Sequence, residues 1–433
     1  MAEIYLDHNS TTPMDPAVVA ELEPFLRAAQ ANPSCAHRMG QEARKAINEV
    51  RTLMSETYGC AKDEIVFTSG GTESNNLAIK GAALANEERG KHIVVGASEH
   101  PCVLDAARSL ERWGWEVSLA PVNEFGQVTP SALSDTLRDD TALVSIMTAQ
   151  NVVGTINRID ELAEVVAGRR LIFHTDAAQA VGKIPTAFPF MGADLVTLAA
   201  HKFYGPKGVG ALIVRRKTKL APLFHGAGHE AGRRSGTENT FGIVGLGAAV
   251  RLARSKMAEA GERMIALRDA LHLMLAEALP GVRLNGDPLD RLPNTLNLSF
   301  MGTIGAEIAA KVPELMLSTG PACHDRQGGL SPTFAAMGLS PERSTSSLRL
   351  SLGRHNTWPE MEQAAEQLTA AVQAIRAASG WKPGDQAASD RPICPRCEEP
   401  LRLDEAGIAP SVVCSKGPEC RYEAWLAAPA ALA

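Results

Sequence analysis

Seven short apolar runs rich in Ile, Val and Leu recur before residue 215, at 65–68, 93–96, 117–122, 143–147, 171–174, 195–199 and 211–214, most of them separated by helix-like segments. A strand that is apolar throughout, not alternating, is buried on both faces, and strands that alternate with helices build a mainly parallel sheet covered on each side. The predicted fold class is therefore α/β with a seven-stranded, mainly parallel sheet. Its ligands belong at the carboxyl ends of the strands. From about residue 240 the chain turns to long Ala/Leu/Glu/Arg helices and then to two strand-like runs at 294–300 and 347–352, which read as a smaller α+β domain. Residues 378–392 are rich in Gly, Pro and Ser without apolar periodicity, the composition of a linker.

With 433 residues, 45% hydrophobic and 21% charged, the chain has the composition of a globular protein of two or three domains. The net charge of −6 offers no electrostatic reason to expect a nucleic-acid or membrane partner. The start, Met-Ala-Glu-Ile-Tyr-Leu-Asp-His, lacks a basic segment followed by an apolar one, and no run of about 18 apolar residues occurs, so a cytoplasmic location is expected. Four of the eight cysteines (Cys35, Cys60, Cys102, Cys323) are scattered and four crowd into the last forty residues. That distribution indicates one metal module and reduced thiols, with Cys35, Cys60 and Cys102 read as ordinary small residues.

His201-Lys202 stands where the run ending at Ala200 meets the glycine-rich turn Gly205-Pro-Lys-Gly-Val-Gly210. A lysine at the end of a buried strand can act as an amine nucleophile. Upstream, a second apolar run ends in Asp176. A lysine for a Schiff base and a carboxylate for a pyridinium nitrogen are what a pyridoxal phosphate site needs. The run Thr68-Ser-Gly-Gly-Thr72 reads as strand, glycine turn and helix start, where free amides and a hydroxyl make a phosphate site. Taken alone, the glycine pair reads more readily as an ordinary strand–helix turn, and neither of the other two runs is decisive.

Together they resemble the pyridoxal phosphate-dependent cysteine desulfurases of the nitrogen-fixation and iron–sulfur cluster type, in the class V aminotransferase family. The matching runs are Tyr5-Leu-Asp-His-Asn-Ser-Thr-Thr-Pro13, Asn32-Pro-Ser34, Thr68 to Asn76, Glu99-His100, Asp176-Ala-Ala-Gln179, His201-Lys202, Arg234-Ser-Gly-Thr-Glu-Asn239 and Ser351-Leu-Gly-Arg354, in order over roughly the first 375 residues. The resemblance implies fold type I, with a large cofactor domain at 16–260 and a small domain made of 1–15 and 261–377. It makes Lys202 the Schiff-base lysine, Asp176 the partner of the ring nitrogen, His100 the ring-stacking histidine and Gln179 the partner of the ring oxygen. Gly71, Thr72 and His201 would hold the phosphate, Asn151 would face cofactor and substrate, and Arg349 would grip the substrate carboxylate. Thr237 matches a residue that reaches the phosphate from a second subunit, so a homodimer is expected.

Two positions depart from the pattern. The family's usual Asn-Asn-Glu is Gln150-Asn151-Val152 here, and the usual serine three residues before the lysine is Ala199. A lost hydroxyl bond to a charged phosphate costs about 1.5–3 kcal/mol. Cys323, in the Gly/Pro-rich run Thr319-Gly-Pro-Ala-Cys323-His324-Asp325, matches the family's persulfide-forming cysteine, with His324 and Asp325 replacing small hydroxyl residues. The implied reaction takes L-cysteine to L-alanine with a persulfide on Cys323, passed to a sulfur-acceptor protein. A selenocysteine lyase or another class V enzyme with Cys323 idle, and a non-catalytic scaffold on the same fold, are the alternatives.

Residues 393–426 hold Cys394-Pro-Arg-Cys397 and Cys414-Ser-Lys-Gly-Pro-Glu-Cys420. Two close pairs of thiolates can close a tetrahedral zinc site, and so short a module needs such a staple to fold. The run is similar to the C-terminal zinc fingers of bacterial type I topoisomerases. Its four Lys/Arg against six Asp/Glu argue against phosphate-backbone binding and for a docking or structural role.

Overall fold

The computed structural model describes residues 3–27, 31–319, 331–384, 387–405 and 410–426. Strand β1 (Ile4–Tyr5) lies apart from the main sheet. The seven apolar runs become β2 (Ile65–Thr68), β3 (His92–Gly96), β4 (Glu116–Ala120), β5 (Thr141–Ser145), β6 (Ile172–Asp176), β7 (Leu195–Ala199) and β8 (Gly210–Val214). They form one sheet in the order β2-β8-β7-β6-β5-β3-β4. All its pairings are parallel except those of β8, which is antiparallel to β2 and β7. Apolar clusters cover both faces, one holding Val94, Val144 and Phe173 and the other Ile93, Leu143 and Ile172. Neighbouring residues of one strand thus enter different cores, which is why these strands carry no polar alternation.

The smaller domain has the antiparallel sheet β12-β10-β9, made of β9 (Val282–Leu284), β10 (Thr295–Phe300) and β12 (Ser347–Ser351). Beside it β1 pairs in parallel with β11 (Leu315–Met316), so the start of the chain belongs with this domain. The helix Thr240–Ala278 joins the two bodies. Capped by the Asn239 side chain, which accepts from Gly242 N at 3.0 Å, its 39 residues run about 58 Å. Ile243, Leu246 and Val250 pack into the large core, whereas Leu267, Leu271 and Leu275 pack into the small one. The boundary expected near residue 260 therefore falls inside a continuous helix, which has no linker composition to mark it.

The C-terminal module is a three-stranded antiparallel sheet of β13 (Leu401–Asp404), β14 (Ser411–Cys414) and β15 (Glu423–Trp425), in that order. Part of the segment with linker composition is tied down: Asp390 N donates to Val282 O (2.9 Å) and Leu284 N donates to the Asp390 carboxylate (2.9 Å).

Candidate active site

The strand ends of the large sheet converge as an α/β topology requires. Asp176 is the last residue of β6 and is buried. Asn75 Nδ2 donates to its Oδ2 (2.6 Å) and Ala178 N to its Oδ1 (2.9 Å), so both carboxylate oxygens are oriented. Lys202 closes the single turn after β7, its Nζ donating to the carbonyls of Asn9 (2.7 Å) and Ser10 (2.8 Å). Burial and then the Arg349 charge lower its pKa to about 8, against the pull of Asp176 and Asp7. A lysine so tuned is partly neutral near pH 7, as an amine nucleophile must be.

Beyond β2, Gly70 at φ +146° opens the helix Gly71–Asn76, a conformation that favours glycine. The turn is crowded from below: a Cβ on Gly210 would lie 2.8 Å from Gly70 Cα. Thr72 is exposed at the helix start. Ala199 faces the same turn, since a Cβ on Gly71 would come within 3.4 Å of the Ala199 methyl. Its missing hydroxyl is therefore missing beside the proposed phosphate position. His201 Nδ1 pairs with Thr11 Oγ1 (3.2 Å), and burial, followed by Lys202 and Lys207, lowers its pKa to about 4. The ring is thus neutral at pH 7.

His100 caps the helix Pro101–Arg108 through Nδ1, which accepts from Cys102 N (3.2 Å) and contacts Cys102 Sγ (3.0 Å). An Nδ1 that accepts an amide proton puts the neutral ring's own proton on Nε2. Cys102 is no ordinary small residue, because Asn75 Nδ2 also donates to its sulfur (3.1 Å) and burial raises its pKa to about 12. A thiol bridge thus runs from the amide that orients Asp176 to the ring of His100. Glu99 beside them is pushed up by burial, with the Asp176 charge adding to the effect.

Arg349, buried on β12, donates to Asp7 Oδ1 (2.7 Å), Ser10 Oγ (2.7 Å) and the carbonyl of Asn151 (3.0 Å). Its Nε is buried and has no partner among the described residues. Gln179 donates to Asn9 O (2.9 Å) and accepts from Lys183 Nζ (2.7 Å). Thr237 is exposed in the loop before the long helix and is not among these groups. Cys323, His324 and Asp325 lie outside the described residues. The flanks are described: Ser318 pairs with Arg349 through both backbone bonds (2.8 and 3.2 Å), and Thr333 Oγ1 accepts from Gln150 Nε2 (3.1 Å).

Sequence reasoning missed Asn9. Its amide donates to Ser351 Oγ, its carbonyl accepts from Gln179 and Lys202, its Oδ1 from Lys183 and Asn294, and its Nδ2 donates to Thr295 Oγ1 and Asn151 O. One side chain therefore ties β10 and the Leu352 turn of the small domain to the large-domain pocket. Its place in the run Tyr5 to Pro13 was the available signal.

A family model described as aminotransferase class-V matches residues 4–363. A cysteine desulfurase IscS of Dictyoglomus turgidum is 41% identical over 382 residues, which are 88% of this chain and 97% of that protein. The chain belongs to the cysteine desulfurase group of the class V aminotransferases. A solved structure titled NIFS-like protein has a TM-score of 0.81 at 33% identity, covering 86% of this chain and all of that one. Another, titled SspA in complex with cysteine, has a TM-score of 0.71 at 32% identity, covering 82% and 99%. The class V pocket fits pyridoxal phosphate: an amine of lowered pKa, a doubly oriented carboxylate and a glycine-opened helix start are all present.

The family match ends before Cys394. Cys394, Cys397, Cys414 and Cys420 are unbridged, with their sulfurs all within 4.8 Å of one another and two pairs at 3.5 Å. Each sulfur takes a backbone N–H from the residue two positions on: Arg396, Glu399, Lys416 and Tyr422. Glu398 and Arg421, each directly after the second cysteine of a pair, both have positive φ, 61° and 55°. Four converging sulfurs with four amide donors suit thiolates around a soft tetrahedral cation.

Proposed function

We propose that this chain is a pyridoxal phosphate-dependent cysteine desulfurase that converts L-cysteine to L-alanine and leaves a persulfide on Cys323 for a sulfur-acceptor protein. The observation that carries this is the pairing of Ser318 with Arg349. Cys323 follows Ser318 by five positions in the chain. Arg349 takes the substrate carboxylate with its guanidinium fork, which Asp7, Ser10 and the Asn151 carbonyl hold in place. Asp176, fixed by Asn75, would partner the ring nitrogen of the cofactor, His100 would stack with its proton on Nε2, Gln179 would meet the ring oxygen, and Gly71, Thr72 and His201 would hold the phosphate. Bound pyridoxal phosphate supplies an electron sink for bonds broken at Cα and Cβ. Lys202 Nζ moves the Cα proton. The Cys323 thiolate attacks the substrate sulfur, a sulfur–sulfur bond forms as the carbon–sulfur bond breaks, and protons returned to the carbon skeleton complete alanine.

The exposed Thr237 supports a homodimer in which it reaches the partner's phosphate. The four-cysteine knot is read as a zinc site, for which an all-thiolate tetrahedral donor set is suited. The decisive assay measures alanine and sulfide released from L-cysteine in the presence of thiol. The parent protein is expected to be active, and Cys323→Ala and Lys202→Ala inactive. Alanine release that survives Cys323→Ala would overturn the persulfide route and favour a lyase of the same family.

A further inference from the structure

The zinc-ribbon sequence suggests a separate head on a tether, but the module is built into the small domain. Leu401, Val412 and Leu426, together with Cys394 and Cys414, are buried in the same apolar cluster as Leu267, Leu271 and Leu275 of the long helix. The segment leading into the module runs along the outer edge of β9, which would otherwise present unpaired amides. Gly281 N donates to Ala387 O (3.3 Å), Val282 N to Ser389 Oγ (3.1 Å), Asp390 N to Val282 O (2.9 Å) and Leu284 N to the Asp390 carboxylate (2.9 Å). Ser389 Oγ donates to Leu279 O (2.7 Å), and Arg283 pairs with Asp390 (3.3 Å). β9 pairs with β10, and β10 with β12, the strand of Arg349.

We propose that the Cys394/Cys397/Cys414/Cys420 site binds one zinc-class divalent cation whose occupancy is part of the folding stability of the small domain, making the module a staple on the catalytic fold. Three strands of three or four residues enclose too little apolar surface to hold together alone, so the knuckles need the metal. Without it the module loosens, Leu267, Leu271 and Leu275 lose their cover, and the β9 edge loses its strap. Tethered recognition heads behave otherwise, since few contacts cross a flexible linker. This inference rests on the zinc reading above and is independent of the desulfurase reading, which the alanine assay tests separately.

The experiment is calorimetry of the full-length holoprotein, with metal content measured on the same samples before and after treatment with a thiolate-competing chelator, and with the cofactor's visible absorbance reporting the large domain. One metal per chain is expected, and stripping it should lower the main transition by at least about 5 °C, with zinc or cobalt(II) restoring it. Asp390→Ala weakens the strap, removing its bond to Leu284 N and its ion pair with Arg283, but spares the cysteines. It should keep its metal and show a smaller shift on stripping, which guards against a cysteine variant that merely misfolds. A protein purified without metal would overturn the proposal. So would loss of metal with the main transition unmoved and only a small separate transition abolished, the signature of an independent head.

Discussion

Lys202 and the groups around it show how burial sets the chemistry. Because burial and the Arg349 charge bring Lys202 to about pH 8, the neutral amine fraction rises with pH up to that value and levels off beyond it. Covalent uptake of the cofactor by apoprotein, followed by visible absorbance, should therefore rise about tenfold per pH unit well below 8 and plateau above it. A normal lysine would keep climbing toward pH 10. Arg349→Lys keeps the charge but removes the fork, and KM for L-cysteine should rise roughly ten- to hundredfold in steady-state assays. Asn9→Ala would strip a partner from each of the buried Lys183, Asn294 and Thr295. It should cost about 1–3 kcal/mol in urea unfolding, since buried polar groups lose hydrogen bonds.

At the scale of elements, the turn after β5 accounts for an apolar residue at position 152. Val152 is buried with Val153, Phe334 and Met337, and the Gln150 side chain accepts the amides of Val152 and Val153 to shape the turn. A carboxylate there would enter an apolar cluster. Val152→Glu should lose at least about 2 kcal/mol, read as a lower urea midpoint. The same turn lends the Asn151 carbonyl to Arg349, so substrate affinity should weaken together with stability.

For the whole molecule, the exposed Thr237 is the test of assembly. Sedimentation should give twice the 46.0 kDa chain mass. Thr237→Ala should leave that mass unchanged while the cofactor dissociates faster; a monomeric holoprotein that keeps its cofactor would contradict the shared-phosphate reading. The long helix gives the two cores one backbone, and the C-terminal sheet seals its far half.

The sequence by itself determined the seven strands and their order along the chain, because burial on both faces writes unbroken apolar runs. His100 and Arg349 were singled out by the family resemblance, whereas the sequence itself pointed to Lys202 and Asp176, which stand at strand ends beside turn signals. The four cysteines were legible for the same local reason. Only the tertiary structure decided what Asn9 holds, since its amide pairs with Ser351, 342 positions away, and no local pattern encodes such a partner. It likewise turned Cys102 from a small residue into a bridge between Asn75 and His100, and part of a linker-like segment into the strap on β9. Periodicity specifies which face of an element is buried, whereas the groups that meet across that face depend on how distant segments close on one another.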